Sequence, residues 1–413
     1  MTTSQLSRSL GTWDAIAIGV ASMVGAGVFV VWGPATAAAG SLLPLALVLA
    51  AVVAWCNASS SAQLAAQYPQ AGGTYVYGRQ RLGHWPGYLA GWSFVIGKTA
   101  SCAAMSLAFA AYLVPEPLLR PVGIAIVWGL VLINCLGVTR TALLAKIFAV
   151  LALAGITAAL AVGFADGPKS ASFGWGDGPM GGAYGVLQGA GLLFFAFAGY
   201  ARVATMGEEV REPRRTIPRA ILAALAIALV IYAVVAASLL LLIGPGALAS
   251  MSAPLTALVE SHPVARIVLT VGASAAIAGA LLGLLSGIGR TWLAMAREGD
   301  LPRWFAVTHP RTKVPHRVEL TLGVVLTVIV LVADLRGAIG FSSFAVLLYY
   351  FVANVSAFTQ DDGERRYPKA WQVLGALLCL VLAATLPIGS VVGGLIVLAV
   401  GVLWRLLSRR ALR

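Results

Sequence analysis

The stretch FFAFAGYARVATMGEE, residues 194–209, decides the fold class of this chain. It starts as an apolar helix, is interrupted at Ala198-Gly199, places Arg202 about one turn later and ends on two glutamates. In lipid, an interrupted helix leaves backbone N–H and C=O groups without partners, and each such group costs several kcal/mol. Such a break is tolerated beside a polar ligand or a water-filled cavity, so the stretch indicates a membrane protein and raises the question of what satisfies its interrupted backbone.

The composition agrees with a chain that lies mostly inside a bilayer. Of the 413 residues, 60% are hydrophobic and 10% are charged, whereas soluble domains carry about 25% charged residues. Apolar runs close to the roughly 20 residues that span a bilayer recur along nearly the whole sequence. We therefore predict an all-α polytopic membrane protein embedded in the lipid bilayer.

Proline, glycine and charged residues divide the sequence into twelve predicted transmembrane helices. They are expected at residues 12–33, 41–65, 84–114, 121–138, 141–164, 183–206, 218–243, 264–296, 317–334, 339–358, 369–386 and 388–408.

The net charge of +13 is distributed unevenly between the two sides of these spans. Most of the 28 Lys and Arg lie in loops on one side, whereas the other side holds only Arg120, Lys169, Arg266 and Arg336. The positive-inside rule then predicts a multi-pass protein of the cytoplasmic (inner) membrane with both termini in the cytoplasm. Since topology accounts for the charge, no nucleic-acid partner is expected. The four cysteines lack metal-ligand spacing, so neither a metal nor a cofactor is expected.

A second glycine interruption occurs in the first predicted span, at Val24-Gly25-Ala26-Gly27-Val28. Interrupted spans at corresponding places in two halves of a chain indicate a transporter's binding site. The alternative is that these glycines only allow close helix packing. The N-terminal end of a half-helix attracts a carboxylate and the C-terminal end attracts an ammonium. Two such breaks therefore suit an amino acid, which carries both groups on one carbon.

Four motifs, in the expected order, resemble the amino acid–polyamine–organocation superfamily. They are Gly25-Ala26-Gly27-Val28-Phe29; Pro69, Gly72, Gly73 and Tyr75; Phe194–Gly199 followed by Gly207-Glu208-Glu209, Pro213 and Ile217-Pro218; and Arg290 with Ala296–Pro302. The resemblance covers essentially the whole chain. It implies a five-plus-five inverted repeat with broken helices 1 and 6. Residues 1–178 would form helices 1–5, residues 179–360 helices 6–10, and residues 361–413 the peripheral helices 11 and 12.

The resemblance also implies secondary transport of amino acids by alternating access. The glycine-rich backbone of the first break would hold the substrate carboxylate, carbonyl groups around both breaks would hold its ammonium, and two phenylalanines would shape the side-chain pocket. The substrate-binding residues implied in this way are Ser22, Gly25, Ala26, Gly27, Phe195, Phe197, Ala198 and Gly199.

Three positions depart from the superfamily's usual pattern. Many members have a hydroxyl residue at the position of Ala26, and many have an acid at the position of Ala201. Some proton-coupled members have a lysine in the fifth helix, where this chain has Ala152. The coupling mechanism therefore does not follow from the resemblance.

Two basic residues, Lys98 and Arg202, lie deep within predicted spans, where charge is costly. Lys98 is a candidate proton carrier, or else a lysine packed against carbonyl groups or water. Arg202 is a candidate gate residue near Glu208 and Asp14, or else it extends to the cytoplasmic surface. Lys98, Arg202, Asp14 and Glu208 are therefore the candidate coupling or gating residues.

The sequence thus predicts a carrier of amino acids, most simply neutral ones, that is proton-coupled or works by exchange. A carrier of acidic amino acids or of organic amines is the alternative. A channel or an intramembrane enzyme is disfavoured, because the spans carry neither a ring of pore-lining charge nor a pair of carboxylates. No enzymatic activity is expected.

Overall fold

A computed structural model describes residues 10–25, 27–69, 72–137, 142–169, 182–206 and 209–410. The first α-helices are α1 (Thr12–Val24), α2 (Gly27–Val30), α3 (Trp32–Ala39), α4 (Leu43–Gln67), α5 (Thr74–Leu82), α6 (His84–Leu113), α7 (Leu119–Cys135), α8 (Ala142–Asp166) and α9 (Ala183–Phe197). The others are α10 (Ala201–Ala204), α11 (Pro213–Leu242), α12 (Pro245–Leu248), α13 (Pro263–Arg297), α14 (His316–Val332), α15 (Leu335–Phe358), α16 (Lys369–Thr385) and α17 (Ile388–Arg410). Short 3-10 segments cover Gly40–Leu42, Glu116–Leu118, Ala198–Tyr200, Pro254–Val259 and Arg303–Phe305.

The prediction of an all-α polytopic membrane protein is confirmed. Within the described ranges, ten helical segments are long and apolar enough to cross a bilayer. The predicted spans at 317–334 and 369–386 correspond to α14 and α16, which have 17 residues each. That length lies at the lower limit of about 17–25 residues for a membrane helix. The count of twelve spans therefore stays a prediction.

The middle of the bundle is formed by helices whose whole circumference is covered by protein. In α9 every residue from Gln188 to Phe197 is buried, and α6 is buried along most of its length. Gly97 of α6 lies so close to α15 that a Cβ there would be 2.9 Å from the Ala345 side chain. By contrast, α7, α8 and α17 expose large apolar side chains such as Leu132, Leu143 and Leu403, which suits contact with lipid tails.

A buried polar network joins three of the helices. The Asn354 side chain of α15 accepts a hydrogen bond from Ser60 Oγ at 2.7 Å and donates one to Asn57 Oδ1 at 2.6 Å. Cys379 Sγ of α16 lies 3.3 Å from the same Asn57 oxygen. Inside a bilayer, hydrogen bonds of this kind supply helix association that the hydrophobic effect cannot supply between apolar faces.

Both predicted helix interruptions are present. The first span stops at Val24 and resumes as α2 at Gly27, while Ala26 lies outside the described residues. The sixth span changes after Phe197 into the 3-10 segment Ala198–Tyr200 before α10 begins. The division into repeats at 1–178, 179–360 and 361–413 stays a prediction.

Candidate functional site

The two interruptions lie against each other at backbone contact. A Cβ on Gly27 would lie 2.4 Å from Ala196 Cα, and a Cβ on Gly199 would lie 2.4 Å from the Ser22 carbonyl oxygen. Each glycine therefore allows its own helix to approach the backbone of the other. These glycines therefore allow close helix packing, which was the alternative interpretation of the sequence. The close approach occurs at the interruptions themselves, so packing and interruption are both present.

Tyr232 of α11 links the two broken helices through their carbonyl groups. Its hydroxyl oxygen lies 2.7 Å from the Met23 carbonyl oxygen and 2.9 Å from the Ala196 carbonyl oxygen. The single hydroxyl proton is thus shared between, or alternates between, two acceptors. Sequence reasoning missed this residue, although one tyrosine in the aliphatic run ALVIYAVVAA was the signal that could have found it.

Lys98 of α6 reaches the interruption of the sixth span. Its Nζ donates a hydrogen bond to the Ala198 carbonyl oxygen at 3.2 Å, and the residue is only 4% exposed. None of the ion pairs among the described residues involves Lys98. A buried ammonium group is therefore held by a neutral carbonyl group at the predicted ammonium site.

The remaining predicted binding residues border the same crossing. The Ser22 hydroxyl donates a hydrogen bond to the Ile18 carbonyl at 2.7 Å. The main-chain carbonyl of Ser22 faces Gly199. Gly25 lies against α13, where a Cβ would be 2.7 Å from the Ala280 side chain. The site is thus bordered by α13 as well as by the two broken helices.

Two buried phenylalanines, both predicted to shape the side-chain pocket, end α9 beside the sixth-span interruption. Phe195 and Phe197 are both buried. The Phe197 ring lies with its centroid 5.0 Å from that of Tyr232, which in turn lies 6.1 Å from Trp32. These edge-on aromatic contacts give the crossing a rigid apolar wall beside its polar carbonyl groups.

The predicted gate residues Arg202 and Asp14 each form an ion pair. Arg202 lies 3.9 Å from the Glu209 carboxylate, which also lies 3.8 Å from Arg290 of α13. Glu208 lies outside the described residues. Asp14 instead pairs with Lys146 of α8 at 2.6 Å. The ion pairs of the described residues thus place Arg202 with Glu209 of the segment after α10 and Asp14 with Lys146 of α8. The coupling or gating role of Lys98, Arg202, Asp14 and Glu208 stays a prediction.

The segment before α1 is joined to the segment after α10 by main-chain hydrogen bonds. Leu10 N donates to the Glu209 carbonyl at 3.2 Å, and Arg211 N donates to the Leu10 carbonyl at 2.9 Å. Together with the carboxylate of Glu209, these bonds hold the ends of the first, sixth and eighth predicted spans together.

A second charged group, here named the Arg405 cluster, consists of Tyr75, Arg79, Glu298, Asp300 and Arg405. The Asp300 carboxylate lies 2.7 Å from Arg405 and 3.1 Å from Arg79, and it accepts a hydrogen bond from the Tyr75 hydroxyl at 2.9 Å. Arg79 also lies 2.9 Å from Glu298. Burial and the Asp300 charge raise the pKa of Tyr75, so its hydroxyl stays a donor. Two motifs that are far apart in sequence thus meet here, a contact that sequence reasoning did not predict.

The chain is similar in sequence to known membrane transport proteins. A family model described as "Amino acid permease" matches residues 10–404. Uncharacterized transporters of Mycobacterium tuberculosis and Mycobacterium bovis are 49% identical over 98% of this chain and 93% of their own length. A protein of Arabidopsis thaliana named chloroplastic cationic amino acid transporter 7 is 29% identical over 91% of this chain and 69% of its own length. This multi-pass membrane protein therefore belongs to the amino acid permease family of the amino acid–polyamine–organocation superfamily.

Proposed function

We propose that this permease moves amino acids across the cytoplasmic membrane by alternating access, with both termini in the cytoplasm. The observation that carries the proposal is the crossing of the two interrupted helices, where Tyr232 and Lys98 both reach main-chain carbonyl groups. Carbonyl groups at helix interruptions are acceptors for an ammonium group. The substrate would bind there, with its carboxylate on the backbone at Gly25, Ala26 and Gly27.

The crossing argues against a cationic substrate side chain. In the described part of the chain, the polar groups recorded at the crossing are carbonyls, hydroxyls and the Lys98 ammonium. An incoming lysine or arginine side chain would meet like charge and would lose its hydration without gaining a carboxylate partner. We therefore propose a substrate different from that stated in the name of the Arabidopsis relative.

Two classes of amino acid remain for this site. The apolar wall at Phe195 and Phe197 favours a neutral side chain, which is the first candidate. One specific observation favours an acidic side chain as the second candidate: the Lys98 ammonium bonds a neutral carbonyl and has no ion pair among the described residues.

Access from the cytoplasm would be controlled at Glu209. Its carboxylate lies between Arg202 and Arg290, and its main chain pairs with Leu10. Separation of these contacts would open the crossing to the cytoplasm, and separation of the helices on the opposite side would open it outward. Lys98 is the candidate proton carrier if transport is proton-coupled, and exchange of one amino acid for another is the alternative.

Uptake into liposomes tests the proposal. Purified protein should take up a labelled amino acid with saturable kinetics, and leucine, methionine, alanine or glutamate should compete more strongly than lysine, arginine or putrescine. Unsaturable flux would indicate a channel, and covalent conversion of the solute an enzyme. Strong competition by lysine, arginine and putrescine alone would contradict the proposed substrate class.

The proposed orientation is tested separately in intact cells. A cysteine introduced at Arg214 should resist labelling by an impermeant thiol reagent added outside, and it should react after the membrane is permeabilised. Labelling in intact cells would overturn the orientation and leave the substrate assignment untouched.

A further inference from the structure

We infer that Lys98 makes the site selective for amino acids with a side-chain carboxylate, because this carboxylate can draw the ammonium away from the Ala198 carbonyl. The inference rests on the proposed function, since it assumes that an amino acid binds at the crossing of the broken helices. In addition, Lys98 is assigned as the residue that distinguishes substrates by the charge of their side chains.

The first step concerns the position of the Lys98 ammonium. Its Nζ lies 3.2 Å from the Ala198 carbonyl oxygen, which belongs to the 3-10 interruption between α9 and α10. A substrate ammonium that bound this carbonyl would share one acceptor with a second positive charge. The oxygen can accept two hydrogen bonds, but repulsion between the two cations favours departure of Lys98 when the substrate ammonium binds there.

The second step concerns the missing counter-ion. A buried cation without an anion is costly in a bilayer, and a neutral carbonyl offsets only part of that cost. The buried carboxylates in the described ranges are held elsewhere, Asp300 by Arg405 and Arg79, and Glu319 by an Asn134 hydrogen bond of 3.0 Å. The substrate is thus a source of the negative charge that the protein does not place beside Lys98.

The third step is an exchange of partners. On binding an acidic amino acid, the Lys98 ammonium would move from the carbonyl to the side-chain carboxylate, and the substrate ammonium would take the freed carbonyl. Two positive and two negative charges then occupy the site, so the loaded site is neutral. A zwitterionic amino acid leaves one excess positive charge, and a cationic amino acid leaves two. The expected order of affinity is acidic, then neutral, then cationic. The inference thus places acidic amino acids, the second candidate under the proposed function, ahead of neutral ones.

Glutamate and glutamine are the matched probes for this order, since they have nearly the same shape and differ by one charge. With purified wild-type protein, we expect glutamate to bind about tenfold to a hundredfold more tightly than glutamine, as for a hydrogen bond to a charged group. In Lys98→Met the preference should vanish or reverse while glutamine still binds. Lys98→Arg should keep a preference for glutamate.

Lys369→Met is the control, because Lys369 is an exposed lysine at the start of α16. This variant should prefer glutamate over glutamine as strongly as the wild-type protein does. Equal or tighter binding of glutamine by wild type would overturn the inference, whether or not Lys98→Met folds. An unchanged preference in a folded Lys98→Met variant would also overturn it. If leucine or glutamine bound tightly and glutamate did not bind, only this inference would be contradicted. Failure to bind any amino acid would contradict the proposed function as well.

Discussion

Two buried cations, Lys98 and Arg405, have opposite surroundings. Arg405 lies 2.7 Å from the Asp300 carboxylate and 3.1 Å from the His84 carbonyl, and its guanidinium carbon lies 4.3 Å from the Tyr88 ring centroid. Lys98 has one carbonyl group at 3.2 Å and no ion pair within the described ranges. The contrast separates a cation whose charge is balanced inside the protein from a cation that still needs a partner. We expect the first to stabilise the fold, and we infer that the second is available to a substrate.

The largest expected effect concerns the crossing on which Lys98 acts. Gly27→Val and Gly199→Val should leave little folded protein, because even the Cβ would lie 2.4 Å from backbone atoms that cannot rotate away. Size-exclusion profiles in detergent measure the folded fraction. Gly287→Val on α13, where a Cβ meets nothing within 4 Å, is the matched control and should stay monodisperse. Normal profiles for both crossing variants would show that the helices lie farther apart than described.

The second prediction sets the two cations against each other directly. Arg405→Met should destabilise the protein by about 1.5–3 kcal/mol, because it removes a hydrogen bond between charged groups and leaves the buried Asp300 carboxylate with Arg79 and Tyr75 alone. Lys98→Met should leave stability unchanged or raise it, because it removes a buried charge and orphans no carboxylate. Thermal unfolding in detergent compares the two variants. An equal loss of stability in both variants would indicate that Lys98 has a charged partner. The proposed difference between Lys98 and Arg405 would then be wrong.

A smaller effect is expected at the hydroxyl that bridges the two breaks. Tyr232→Phe removes the donor to the Met23 and Ala196 carbonyls and keeps the aromatic packing. Hydrogen bonds between membrane helices are worth about 0.5–1.5 kcal/mol, so a loss of that size in unfolding free energy is expected. Tyr184→Phe, at an exposed tyrosine, serves as the control. If Tyr232→Phe matched that control in stability and in substrate affinity, the bridge would have no measurable role.

The smallest effect is expected at the exposed pair of Asp14 and Lys146, whose side chains are 30% and 46% exposed. Asp14→Asn should change stability by less than about 1 kcal/mol, and the difference should shrink further in high salt. Measurements of thermal unfolding at low and high salt check both statements. A large, salt-independent loss would place this pair with Arg405 rather than at the surface.

The fold class and the places where helices are interrupted could be predicted from sequence, because both depend on local properties. Long apolar runs predict membrane helices, and glycines at residues 25, 27 and 199 predict interruptions. The two 17-residue helices show the limit of this approach. In α14 the predicted span includes charged residues such as Glu319 in its first turn, so apolarity alone does not fix the count of crossings.

The partners of the predicted residues could not be found in the same way. Lys98 bonds to a main-chain carbonyl, and a carbonyl has no signature in a sequence. The described partner of Arg202 is Glu209, in the segment that follows α10. Asp14 pairs with a lysine on α8 that is distant in sequence. Each of these contacts is set by how helices pack, which hydropathy and motif spacing do not encode.

The Arg405 cluster also has a consequence for the order of synthesis. Arg79 and Asp300 belong to parts of the chain that leave the ribosome long before α17, which carries Arg405. Until α17 inserts, the Asp300 carboxylate has Arg79 and Tyr75 but not the cation that lies nearest to it in the folded protein. The final helix thus supplies the counter-charge for an acid made much earlier. A nascent chain halted before α17 would lack the cation nearest to Asp300.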